Sequence, residues 1–121
     1  HFDDYLTTAE GKSLPVPHCI KGTVGHKLYG GLADALKGNL CFEKNTFPSL
    51  EMAKYLEGKD FDTIELCGLV SNICVLSNAV MAKSACPNSE IIVDSSLTAA
   101  ADEEIHQKSL DVMKGLFIKV L

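Results

Sequence analysis

No run of basic residues occurs in this sequence, and its formal net charge is −5. Nucleic-acid phosphates are held by a basic stripe, so a nucleic-acid partner is not expected. Long apolar runs are also missing. None reaches the ~18 residues that a membrane-crossing helix needs, so no membrane role is expected either. No signal-peptide pattern is visible. The five cysteines, Cys19, Cys41, Cys67, Cys74 and Cys86, form no CxxC pair, which argues against a zinc ribbon or a thioredoxin-type site. Their odd number and irregular spacing suit free thiols in a reducing cytoplasm, which is the expected location. Cys19, Cys41, Cys67 and Cys86 are read as packing residues. Repeats and low-complexity segments are absent. The Gly-rich stretch Lys21-Gly22-Thr23-Val24-Gly25 lacks the Gly-Lys-Ser/Thr ending of a phosphate-binding loop and reads as a turn. An initiating Met is lacking as well: the first residue is His1, so the sequence reads as a processed chain or a fragment.

What is present fits one soluble domain: 121 residues, 46% hydrophobic and 22% charged. Residues 1–25 show no clean periodicity and read as a long ordered loop. His26 to Leu36 reads as a short helix with Leu28, Leu32, Ala35 and Leu36 on one side. Leu40 to Phe42 is a candidate strand. Ser49 can cap a helix from Leu50 to Leu56 that Gly58 stops. Thr63 to Val70 reads as a strand, Ile73 to Ala85 as a helix, and Ile91 to Val93 as a buried strand. Asp102 can cap a helix running through Met113, with Ile105, Leu110, Val112 and Met113 as its apolar face and Gly115 at its end. Leu116 to Leu121 forms the last strand. Strands alternating with helices at this spacing imply an α/β domain with a parallel sheet covered by helices on both faces. Ligands gather outside the carboxyl ends of such strands. Lys44, the Leu69–Cys74 turn and Asp94–Thr98 all fall at predicted strand ends.

Cys74 is the strongest candidate for chemistry. It follows a buried strand and a short turn, and lands in the first turn of a helix. Unsatisfied N–H groups and the helix dipole favour a thiolate there, and the same N–H groups could hold an oxyanion. A buried structural thiol is the competing reading. Lys44, following the apolar strand, could stabilise a thiolate or a tetrahedral anion; a solvated loop charge is the alternative. His1, Glu10 and His18 share the N-terminal loop, and imidazole with carboxylate suits zinc or another divalent ion, although the spacing matches no zinc-finger rule. His26 and His106 read as helix-surface residues. Asp94 reads as a cap or turn residue, with a catalytic role as the lesser alternative.

Three segments together resemble the nicotinamidase and isochorismatase-like cysteine hydrolases. Pro17-His18-Cys19-Ile20-Lys21-Gly22-Thr23-Val24-Gly25 is similar to that family's Pro-His-Cys-Val-x-Gly-Thr-x-Gly segment. Phe42-Glu43-Lys44-Asn45-Thr46-Phe47 is similar to the strand that delivers its catalytic lysine. Gly68-Leu69-Val70-Ser71-Asn72-Ile73-Cys74-Val75-Leu76 is similar to its Gly-x-x-Thr-Asp-x-Cys-Val nucleophile turn. The resemblance spans nearly all of the chain.

The resemblance implies a Rossmann-like three-layer α/β/α domain over residues 1–121, with its N-terminal strands missing from this chain. It implies that Cys74 attacks a carboxamide carbon and forms a thioester, with Lys44 beside the thiolate. A cis peptide is implied at Leu69–Val70, with the N–H groups of Val70 and Cys74 as the oxyanion hole. Phe47 and Leu69 are the candidate substrate contacts, with Phe2 and Tyr5 as further ring-lining candidates. His1, Glu10 and His18 become ligands of a divalent metal, zinc ahead of iron or manganese, that holds a pyridine nitrogen. The expected reaction is hydrolysis of nicotinamide to nicotinate and ammonia, with pyrazinamide as a second substrate. An N-carbamoyl amidase or isochorismatase-like hydrolase of the same fold, or a non-catalytic binding domain, is the alternative. Homo-oligomerisation is left open. The sequence departs from the pattern in three places. The family's general-base Asp would lie upstream of His1, Ser71-Asn72 replaces the usual Thr-Asp, and Pro15 stands where a ring-stacking aromatic is common.

Overall fold

The computed structural model describes residues 4–121. The chain divides into two compact units, His1–Thr46 and Phe47–Leu121. Among the described residues no helix is long and apolar enough to cross a membrane.

The first unit is built from short pieces. A 3-10 turn at Tyr5–Thr7 leads into helix α1, Ala9–Ser13. Thr8 caps α1: its Oγ1 accepts from the Gly11 amide at 3.0 Å, and its hydroxyl donates to the Tyr5 carbonyl at 2.6 Å. Gly11 is required by this closeness, because a Cβ there would sit 2.0 Å from the Tyr5 carbonyl oxygen. The long ordered loop expected over 1–25 is therefore partly helical. A second 3-10 turn covers Val24–His26, and helix α2 is only Leu32–Ala35. The helix expected from His26 to Leu36 is broken because Lys27 is extended and Gly30 takes a positive φ of 56°. Leu28, Leu32 and Leu36 remain exposed. The expected strand at Leu40–Phe42 does not form. Three apolar residues make a strand only when a ladder partner takes up their N–H and C=O groups, and the sheet among the described residues does not include them.

The second unit follows the sequence closely. Helix α3, Leu50–Leu56, is capped by Ser49, whose Oγ accepts from the Met52 amide at 3.2 Å. Strand β1, Thr63–Leu69, is followed by a π-type turn at Ser71–Val75 and helix α4, Leu76–Ala85. Strand β2, Glu90–Ala99, precedes helix α5, Glu103–Gly115, and strand β3, Lys119–Val120. The strands form one parallel sheet in the order β1-β2-β3. Leu66 pairs with Val93 but Gly68 pairs with Thr98, so Asp94–Leu97 bulges out of the ladder.

The core of this unit joins sheet to helices. Ala79 and Ala82 of α4, with Val75 and Cys86 at its two ends, repeat at the helical period and pack with Ile91, Val93, Leu110, Met113, Ile118 and Leu56. Burying each of the larger side chains contributes about 1.5–3 kcal/mol. Ile64 and Leu66 of β1 pack against this core, while Thr63, Glu65 and Cys67 alternate to the exposed side. Helix α5 differs from expectation. Its buried residues are His106, Ser109, Leu110 and Met113, and Ile105 and Val112 are exposed. The spacing 106, 110, 113 is a true helical stripe, so position overrides polarity and His106 is no surface residue.

Candidate active site

The second unit places Cys74 where sheet gives way to helix. Gly68, near the end of β1, has φ 107°, a conformation open to glycine. The peptide joining Leu69 to Val70 is cis, at the bond the resemblance indicated. Val70 is extended, and its carbonyl accepts from the amides of Ile73 at 3.2 Å and Val75 at 3.1 Å. The second of these bonds spans five residues, the mark of a π-type turn. The helix expected from Ile73 thus begins with a wider turn, and regular α-helix starts only at Leu76. Cys74 lies in that turn and is half-buried, neither sealed in the core nor fully open. Leu69 is 70% exposed, and Phe47 is half-buried.

Two side chains that the sequence reading passed over hold this turn. Asn78 accepts from the Ser49 amide at 2.8 Å through Oδ1 and donates through Nδ2 to the carbonyls of Cys74 at 2.8 Å and Phe47 at 3.3 Å. An amide N–H can only donate and a carbonyl can only accept, so these partners fix which way the Asn amide points. Asn78 therefore ties the start of α3 to the Cys74 carbonyl. Its signal in the sequence was present: it lies four residues after Cys74, on the same helix face. His106 is the other. Its Nδ1 shares a 2.9 Å hydrogen bond with Oγ of Ser71, the first residue of the turn, and both residues are buried. Ser109 Oγ donates to the His106 carbonyl at 2.7 Å. His106 also lines a cavity of about 500 Å³ together with Thr98, Asp102 and Glu103, and Cys74 does not line it.

The first unit carries the remaining candidates. Lys44 lies in an irregular segment rather than at a strand end, and its Nζ donates to the Thr46 carbonyl at 2.8 Å. His18 packs edge-on against the buried ring of Tyr5, with centroids 5.3 Å apart. Tyr5 is fully buried, which removes it from the exposed ring-lining candidates. His18 Nδ1 lies 2.6 Å from the Val16 carbonyl, to which it must donate. That bond places a proton on Nδ1 and leaves Nε2 as the ring nitrogen through which the imidazole could ligate a metal. Glu10 sits half-buried in the first turn of α1. His1 and Phe2 lie outside the described residues, and among the described residues no group of three His, Cys, Asp or Glu side chains could hold a metal ion. The Glu43 carboxyl is held below its usual range, chiefly by its hydrogen bond from Lys21, with His26 nearby at 3.7 Å.

Other expectations are settled by burial. Cys86 is buried as a packing residue, but Cys19, Cys41 and Cys67 are exposed. Cys67 alternates away from the core on β1, and Cys19 sits at a positive φ of 50°. Asp94 does serve as a turn residue, accepting from the Ser96 hydroxyl at 2.7 Å and its amide at 2.8 Å; both bonds lower its pKa.

Residues 2–121 match the isochorismatase domain family. No curated protein matches the chain. Among solved structures, a nicotinamidase/pyrazinamidase from Bacillus subtilis superposes with a TM-score of 0.75 at 27% identity, covering 91% of this chain and 64% of its own. A pyrazinamidase/nicotinamidase from Streptococcus mutans gives 0.76 at 29% identity, covering 92% of this chain and 66% of its own. A pyrazinamidase of Pyrococcus horikoshii in complex with zinc gives 0.72 at 20% identity, covering 100% of this chain and 70% of its own, a likeness of fold alone. The chain thus spans about two thirds of the length of these enzymes.

Proposed function

The chain belongs to the isochorismatase family, and on that premise we propose that it is the nucleophile-bearing part of a cysteine amidohydrolase that converts nicotinamide to nicotinate and ammonia. The observation that carries this reading is the place of Cys74: a half-buried thiol in the turn that follows the carboxyl end of a parallel strand. Ligands collect outside the carboxyl ends of parallel strands. The structural neighbours named as nicotinamidases or pyrazinamidases, at 27% and 29% identity, support a small aromatic amide as substrate.

In this reading Cys74 Sγ attacks the carboxamide carbon, and the oxyanion is received by the N–H groups of Val70 and Cys74. The C–N bond breaks, ammonia leaves, and a thioester forms on Cys74. Water then attacks the thioester and releases nicotinate. Lys44 supplies the positive charge that favours the thiolate, and Phe47 and Leu69 contact the ring. The thiol proton goes to a general base, a role that the resemblance gives to an Asp for which these 121 residues hold no counterpart. Glu10 and His18, with His1, would hold a divalent ion, zinc ahead of iron or manganese, and that ion when bound fixes the pyridine nitrogen. The bond from His18 Nδ1 to the Val16 carbonyl supports this role, because it leaves Nε2 as the nitrogen available to an ion. A cytoplasmic location completes the reading.

Ammonia release by the intact protein tests it, comparing nicotinamide, pyrazinamide and carbamoyl amino acids. Nicotinamide should be turned over, and Cys74→Ala should abolish release; retained turnover refutes the covalent role. Preference for carbamoyl amino acids would move the protein to the N-carbamoyl amidase branch. His18→Ala should lower the divalent metal content of the purified protein, and an unchanged content removes His18 from the ligand set.

A further inference from the structure

We propose that His106 is a positioning residue for Cys74, acting through Ser71. The inference rests on the reading of Cys74 as nucleophile. Ser71 opens the π-type turn in which Cys74 lies, and its side chain is fully buried. Its hydroxyl is paired with His106 Nδ1 at 2.9 Å, across 35 residues of sequence. His106 is itself immobilised. It shares the buried stripe of α5 with Leu110 and Met113, which belong to the main core, and its carbonyl receives the Ser109 hydroxyl.

A single π-type turn is not propagated by a succession of like bonds as an α-helix is. The conformation of this turn therefore depends on contacts from outside it. Asn78 supplies one, at the Cys74 carbonyl. The His106–Ser71 pair supplies another, at the opposite end of the turn. A buried His–Ser pair that served packing alone could be replaced by two apolar side chains at little cost. Placed here, it fixes the height at which Sγ leaves the turn relative to the amides of Val70 and Cys74. An error of about 1 Å in such a placement costs on the order of 100-fold in rate.

The test uses Ser71→Ala, His106→Ala, the double variant, and the two conservative variants Ser71→Thr and His106→Asn. Serine to threonine keeps the hydroxyl, and an Asn amide reaches the position of Nδ1 in either hydrogen-bonding role. Two readouts are taken: kcat and KM for nicotinamide, and the rate of iodoacetamide alkylation at Cys74, resolved by peptide mapping. Cys86 is the internal control, since it is buried and becomes reactive only when the fold is lost. Each Ala variant should lower kcat by about tenfold or more with KM within about twofold, and slow Cys74 alkylation comparably. The double variant should be no worse than either single one, and His106→Asn and Ser71→Thr should recover most of the loss. Effects that multiply in the double variant, or that appear only together with Cys86 alkylation, overturn the proposal. So do unchanged alkylation rates at Cys74. A wild-type protein without amidase activity sinks the functional reading alone, and the alkylation comparison still decides the role of His106.

Discussion

Replacing Asn78 by Ala removes three hydrogen bonds at once, those from the Ser49 amide and to the carbonyls of Cys74 and Phe47. Ser49 is buried, so its amide is left without a partner in a place water reaches poorly. Stranding one such donor costs about 1–3 kcal/mol, and each of the other two bonds, at part-buried carbonyls, contributes about 0.5–1.5 kcal/mol. Allowing for relaxation, Asn78→Ala should destabilise the protein by about 2–4 kcal/mol. Urea unfolding measures this as a lower midpoint at an unchanged slope. Asn78→Asp sharpens the test. The new carboxylate still accepts from Ser49 but faces two carbonyl oxygens with no hydrogen to offer. That repulsion raises the carboxyl pKa in the folded state above its unfolded value. The folded state then binds more protons, so stability is highest at low pH and falls as pH rises through the raised folded pKa. Asn78→Asp should therefore gain stability relative to Asn78→Ala as pH is lowered from 7 to about 5, the range in which such a carboxyl regains its proton. A loss below about 0.5 kcal/mol in Asn78→Ala, within the range of ordinary surface substitutions, or no pH dependence of the difference between the two variants, would show that the clamp does not hold the turn.

Gly11→Ala should open the first unit, because the added methyl would meet the Tyr5 carbonyl at 2.0 Å and backbone must move; a cost of about 1–3 kcal/mol is expected from such overpacking. Hydrogen exchange at the α1 amides reads the effect, and wild-type protection in the variant would refute it. Asp94 should titrate below the ordinary carboxylate range, and Ser96→Ala should bring its midpoint back up by removing the hydroxyl bond. Because its folded pKa is depressed, whatever stability Asp94 adds is present above the unfolded value of about 3.9 and lost as pH falls through the folded one. Carboxyl chemical shifts followed by NMR give the midpoint, and an ordinary value would contradict the assignment.

Local signals in the second unit were readable from the chain. Ser49 and Asp102 precede helices and do cap them, because a short polar side chain can reach the amide three residues on without help from the rest of the fold. Thr63 to Leu69 and the apolar residues before Asp94 are strands because their apolar character suits burial in a parallel sheet. The first unit was misread for the converse reason. The segment 26–36 has leucines at helical spacing, but two adjacent glycines interrupt it and its leucines remain exposed. Periodicity makes a helix only where an apolar face finds cover. Lys44 shows the same limit: its motif was legible, whereas the strand meant to deliver it was not there.

The supports of Cys74 were hidden for a different reason. Ser71 and His106 are separated by 35 positions, and the bond between them exists only because α5 packs against the turn that follows β1. No spacing rule reaches that far. What the sequence did hold was a histidine in register with Leu110 and Met113, a polar residue at a position the helical period assigns to the core. A buried imidazole must find a hydrogen-bond partner or pay the desolvation cost of its ring nitrogens. A polar side chain in such a stripe therefore points to a partner elsewhere in the chain. In an α/β domain whose strand ends gather ligands, the first place to seek that partner is the loop at the carboxyl end of a neighbouring strand. For His106 that loop is the one bearing Ser71 and Cys74, so the rule that misfiled the histidine as a surface residue, applied by position instead of polarity, leads to the turn that holds Cys74.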